Sequence, residues 1–347
     1  MKIRTKYLAF LAALILCASA ACGAEMTVTD CLGRSVTVPA APERIIGSGS
    51  GSGSGALRLL TYLQATDRVV AVDSIEKRDD PPQSKASRPY ALARPEFAGL
   101  PLFGEFRGKD NPELIAGLSP QPQVIFKVSP LSGPHPDQLT AKTGIPVIGL
   151  EYGNLSDEKE QFYATLRLMG KVLDKEQRAE EVVAFFEKHL AKLRRRTAGV
   201  PEEERKSCYI GGVSMRGTHG FTSTETGYPP FLYTGAKNVA SDGSGRSETV
   251  NVAKEKILQW DPQVVFLDVN TLRAKGEASG LRQLSSDPVY AELSAVENGE
   301  IWSVLPYNSY TINYGSVLVN SYFVGKILYP SRFELLQKLI NLFFGHI

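Results

Sequence analysis

The sequence predicts an α/β protein of two lobes, each a mostly parallel sheet flanked by helices, the two joined by one long helix. Three observations carry this. Short apolar, β-branched runs alternate with helical segments in both halves, the pattern of parallel sheets covered on both faces. The longest helical signal, about residues 158–196, lies between those halves. A chain of 347 residues with ordinary apolar and charged fractions has material for two domains of usual size.

The elements follow in order. Lys2, Arg4 and Lys6 precede the apolar run from Leu8 to Leu16, and small residues continue to Ala24. That is the order of a secretory signal, read as residues 1–21, and its apolar part is too short to span a bilayer. Ser19-Ala20-Ala21-Cys22 reads as a lipobox that would leave a lipidated Cys22 as the mature end; plain cleavage near Ala24 is the alternative. The first lobe is predicted over 26–156. It opens with a β-hairpin, residues 26–30 and 35–39, around a Gly33 turn. Strands are predicted at 44–46, 68–73, 124–126 and 146–150, helices at 56–64 and 112–117, and 74–111 reads as mostly loop. The connecting helix is assigned to 157–175, with Ser156 or Asp157 as N-cap and a break near Asp174. The second lobe, 176–347, carries strands at 208–210, 264–267 and 301–304, and ends on an apolar helix from Arg332.

Composition excludes some functions. Losing the three cations of the signal from 39 basic residues leaves 36 against 37 acids, a balance that argues against a nucleic-acid partner. His135, His189, His219 and His346 show no paired spacing, so no metal-ligand set is expected. No nucleophile elbow or zinc-hydrolase motif is present, and no cofactor is expected. Cys31 and Cys208 lie far apart and are read as unpaired. The run Gly51-Ser52-Gly53-Ser54-Gly55-Ala56, with Asp73 ending the next strand, fits a dinucleotide fingerprint. An exported dinucleotide-dependent oxidoreductase is therefore the alternative of another class, opposed by the export signal. The same loop also reads as Ser52 and Ser54 offering hydroxyls to an oxygen-rich ligand at a helix start, or as a plain connection.

Further ligand-binding candidates cluster after strands of the second half. Arg216 can pair with carboxylate or phosphate oxygens, His219 can donate a hydrogen bond or bind a metal, and Tyr228 can stack. Asn308 and Tyr310 lie on a loop rich in hydrogen-bonding groups. Arg107, with Arg88 and Tyr90, is a weaker candidate in the first half. Each has a plain surface or packing reading beside it.

Several stretches, taken in order, resemble a known family. They are Asp30-x-Leu32-Gly33-Arg34-x-Val36-Thr37-Val38-Pro39, then Pro42-x-Arg44-Ile45-Ile46, then 65–72 and Gly144-Ile145-Pro146-Val147. Two Glu-to-Pro units, Glu113 to Pro122 and Glu255 to Pro262, add to them. The chain is similar to the periplasmic substrate-binding proteins of ABC importers for iron complexes, siderophores and vitamin B12, the class with a helical backbone between its lobes. The segments at 216–220, 228–231 and 305–308 resemble the iron-complex subgroup. The resemblance implies ligand capture between the lobes and small lobe closure. It implies a metal chelate as cargo, ferric by preference, with a corrinoid, haem or oxyanion as alternatives. It also implies delivery to a permease and its ATPase, with Glu113 and Glu255 as docking carboxylates. Two solvated helix-start glutamates are the plain reading of that pair. The expected location is the periplasm or the outer face of the cytoplasmic membrane, with membrane contact through the lipid on Cys22.

Overall fold

The computed structural model describes residues 24–49, 54–78, 88–215, 217–273, 279–308 and 311–333. The opening hairpin is β1 (Glu25–Thr29) against β2 (Ser35–Pro39), antiparallel. Its alternation puts Val28, Val36 and Val38 on the buried face. The turn between them is a clasp. Asp30 accepts from the backbone of Leu32 and Arg34, from the Arg34 guanidinium, and from the amide of Gly149 in the neighbouring sheet.

That sheet has six strands: β3 (Ile45–Gly49), β4 (Val69–Asp73), β5 (Leu102–Glu105), β6 (Lys109–Asp110), β7 (Val124–Val128) and β8 (Val147–Leu150). Their order is β6-β5-β4-β3-β7-β8, and every pairing is parallel except β5 with β6. Helices α1 (Ser54–Tyr62), α2 (Pro89–Ala93), α3 (Pro112–Ala116) and α4 (Pro136–Thr143) complete the lobe. The expectation that 74–111 is mostly loop needs correction. β5 lies inside it, a four-residue strand with Phe103 buried, whose Pro- and Gly-rich flanks hid its pattern. Pairing with β4 makes it a strand, where local propensity did not.

The second sheet runs β11-β9-β13-β14, all parallel: β9 (Ser207–Gly211), β11 (Lys237–Asn238), β13 (Val264–Asp268) and β14 (Ile301–Val304). A separate antiparallel pair, β10 (Ser223–Glu225) with β12 (Thr249–Asn251), lies beside it.

The helical stretch between the sheets breaks at Asp174, whose φ of 55° is left-handed. It forms α5 (Lys159–Leu173) and α6 (Glu176–Thr197), which run antiparallel with Lys159 paired to Glu187 and Arg167 to Glu180. α5 is fastened to the first lobe, its Val172 carbonyl accepting from Ala41 and its Leu173 carbonyl from Arg68, while its Phe162 ring meets Tyr314 of the second. α6 touches both. Arg178 donates to the Tyr62 carbonyl at one end, and Arg194 lies over the Tyr233 ring of the second lobe at the other. At 1.5 Å per residue it reaches about 33 Å. The turn at Asp174 thus divides the helical stretch into two antiparallel helices that both pack between the sheets.

Each lobe holds a smaller apolar cluster of its own, and a larger one runs through both lobes. At its centre Tyr314, the first residue of α11 (Tyr314–Leu328), stacks on Phe162 at 3.8 Å and on Tyr152 at 5.0 Å. Its hydroxyl donates to the Tyr152 carbonyl at 2.6 Å. Arg58 of α1 reaches across the junction to the Tyr152 hydroxyl and the Ile312 carbonyl. Such packing opposes wide lobe motion.

Candidate functional site

Binding loops of parallel sheets sit at the carboxyl ends of the strands. The loop after β8 leads to Asn154, Asp157 and Glu158, and these face Glu225, residues 246–249, Asn308 and Ile312 of the second lobe. Between them lies a polar cavity of about 250 Å3. The Ser247 amide approaches Asp157 Oδ1 at 3.4 Å, and Asn154 donates to the same oxygen at 3.0 Å. Ser247 also gives its hydroxyl to Glu225, and Tyr307 donates to the other oxygen of that carboxylate.

Burial pushes the Glu225 carboxyl above its ordinary value, and the charges of Asp268 and Asp157 push the same way, against the two hydroxyl donors. Glu158 is raised as well, by burial first and then by Asp157 and Glu151. The Tyr307 phenol is held far above its usual range by burial and by Glu225, so it remains a donor.

The neighbouring loops are tied by Thr271. Its hydroxyl donates to the His219 carbonyl at 2.6 Å and accepts from the Gly280 amide at 2.7 Å. Gly212 has φ 72°, and a Cβ there would meet the Thr271 side chain at 2.6 Å. Only glycine fits that turn.

The predicted site residues are scattered. Asn308 lines the cavity. His219 is half-buried, with Nε2 at 2.8 Å from the Met215 carbonyl. Tyr228 is 1% exposed, packed against Phe231 and Tyr307. Arg107 is exposed at φ 68°, its guanidinium over the Phe106 ring. Arg88 and Tyr90 are buried and both meet Glu76. Ser54 opens α1; Ser52, Arg216, Tyr310 and Cys22 lie outside the described residues. Neither Ser156 nor Asp157 caps α5 through its side chain; Asn154 instead accepts from the amides of Ser156 and Glu158.

The cavity acids were missed. Asp157 reads as a helix start, and Glu225 lies in a Ser/Thr-rich stretch with no motif. Nothing local marks either residue, because their neighbours come from three distant segments.

Asp73 is 2% exposed and gives an oxygen to the Ile75 amide, a turn role rather than that of an open ribose-binding acid. Among the described residues no group of three or more His, Cys, Asp or Glu is arranged to hold a metal ion. Cys31 and Cys208 are free thiols, each pushed up to about 12, chiefly by burial. No helix of the described residues is long and apolar enough to cross a membrane.

Two parallel-sheet lobes on a helical link, with loops converging on a cavity between them, define a solute receptor. The chain belongs to the periplasmic binding protein family, whose profile matches residues 53–305. Its members bind solutes and are not enzymes, which sets the oxidoreductase alternative aside. No curated protein matches the sequence.

Solved structures agree on the fold. The molybdate periplasmic binding protein MolA of Haemophilus influenzae is 21% identical, with TM-score 0.65 over 91% of this chain and 95% of that one. A protein of an Fe3+-hydroxamate transport system from Saccharomonospora viridis is 22% identical, with TM-score 0.54 over 88% and 99%. The periplasmic heme binding protein HutB of Vibrio cholerae is 18% identical, with TM-score 0.56 over 83% and 99%.

Proposed function

We propose that this chain captures a metal chelate, ferric by preference, outside the cytoplasmic membrane and delivers it to the permease of an ABC importer powered by a cytoplasmic ATPase. The observation that carries the reading is the polar cavity between the lobes, built from hydrogen-bonding side chains without a metal-ligand set among the described residues. A chelator already satisfies its metal, so its carrier needs polar contacts to the organic shell rather than metal ligands. Similar structures include proteins described for Fe3+-hydroxamate and for heme. An oxyanion is the weaker cargo, since the cavity is lined by four carboxylates and one arginine.

Glu113 and Glu255 support the permease half of the proposal. Each is exposed in the first turn of a short helix, one per lobe: α3 and α8 (Lys254–Trp260). Neither carboxylate forms an ion pair within the described residues, which leaves both available to arginines of a partner. Charges so placed set docking orientation and encounter rate more than affinity. A lipid on Cys22 would keep the receptor at the membrane.

Native mass spectrometry of the mature protein from its exporting host tests the reading. A co-purifying metal chelate is the expected result, and a bound metal-free solute of another class would overturn it.

A further inference from the structure

The interlobe cavity carries an unbalanced charge. Among the described residues, Asp157, Glu158, Glu225 and Glu248 line it with one cation, Arg246, which is 71% exposed and 4.0 Å from Glu248 at its nearest. Glu225 decides the matter. It is 1% exposed, and its oxygens are held by the hydroxyls of Ser247 and Tyr307, with no cationic side chain of the described residues beside it.

Three other buried carboxylates of the chain are paired with a cation. Asp110 pairs with Lys127, Glu76 with Arg88, and Asp30 with Arg34. An ionised carboxylate out of water is costly unless a cation offsets it. At Glu225 the described residues supply two hydroxyl donors and an adjoining cavity in place of that cation.

We propose that the cavity receives a cationic N–H donor of the ligand, an ammonium or guanidinium group, with Glu225 as its buried counter-charge. This rests on the reading that ligand occupies the space between the lobes, and it adds the chemical character of the ligand's inner end. Asp157 and Ser247 stand on the two sides of the cavity, so a donor bound there meets both lobes. The volume suits a head group with a few methylenes rather than a whole chelate. A bare metal ion lacks its ligand set among the described residues.

Two linear ferric trihydroxamates serve as probes, one ending in a primary ammonium and the other acetylated at that nitrogen. Their affinities are measured by fluorescence quenching for the wild type and for Glu225→Gln. The ammonium form should bind about tenfold tighter or more to the wild type, a difference of about 1.4 kcal/mol. Glu225→Gln should shrink that preference to about twofold or less and leave the acetylated form unchanged. Equal affinities of the wild type for the two probes would overturn the proposal. Should neither chelate bind, the ferric cargo falls by itself and agmatine becomes the probe. A thermal shift in the wild type that Glu225→Gln loses supports the cationic site, and no shift overturns it.

Discussion

Replacing Asp30 by alanine should unfasten the hairpin from the first lobe without touching ligand capture. The Asp30 carboxylate is fully buried and 2.5 Å from the Arg34 guanidinium, whose own side chain is 18% exposed. It also accepts from the amides of Leu32, Arg34 and Gly149, each at 3.0 Å. Removing one partner of a buried ion pair costs about 3–5 kcal/mol. Arg34 keeps Asp137 and the Val147 carbonyl, so the lower end of that range, about 3 kcal/mol, is expected. At roughly 2–4 °C per kcal/mol for a chain of this order, the midpoint should fall by about 6–12 °C. Calorimetry measures the shift, and titration with the co-purified ligand shows whether affinity holds. A fall of less than about 1 kcal/mol would refute the clasp, since an exposed pair contributes no more than that. Lost affinity with an unchanged midpoint would refute it equally, by placing the motif in binding.

Other outcomes follow from the cavity and its loops. Glu225 binds its proton more tightly folded than unfolded, so its contribution to stability falls as pH rises from the ordinary carboxyl value of 4.5 through its raised one, and stays low above. Chemical denaturation across that window should show this slope in the wild type and a flatter one in Glu225→Gln. Gly212→Ala forces a side chain into a left-handed turn against Thr271, and should cost about 2–4 kcal/mol in denaturant titration while weakening ligand binding. Reversing Glu113 or Glu255 to lysine should leave ligand affinity unchanged and lower uptake in permease-containing vesicles by about tenfold; unchanged uptake would remove that residue from docking.

Much of the fold can be read in the chain because it is written in short periods. Alternation in 26–39 gives the hairpin, β-branched runs give β4, β7, β8 and β13, and a long 3.6-residue repeat gives α5 and α6. β5 escaped because four residues among prolines and glycines carry too little pattern, and its partner β4 is remote in sequence. The Asp30 to Arg34 motif supported the family resemblance, yet its side chains bond within the first lobe rather than to a ligand. A residue pattern can therefore identify a fold through its fastenings.

The candidate site is a different case. Arg216, His219 and Tyr228 drew notice as chemically able residues on one segment, but Tyr228 faces the core and His219 bonds its own loop. The cavity is assembled from the loop after β8, from β10, from 246–249 and from Asn308, stretches whose proximity no local pattern encodes. By itself the sequence determined the two-lobed α/β class and the family, since these rest on local periodicity and ordered short motifs. Only the tertiary structure decided how the long helical stretch folds back on itself and which acids face one another. Those depend on one left-handed residue at Asp174 and on burial, which removes water from Glu225 and so gives an ordinary carboxylate its unusual need for a partner.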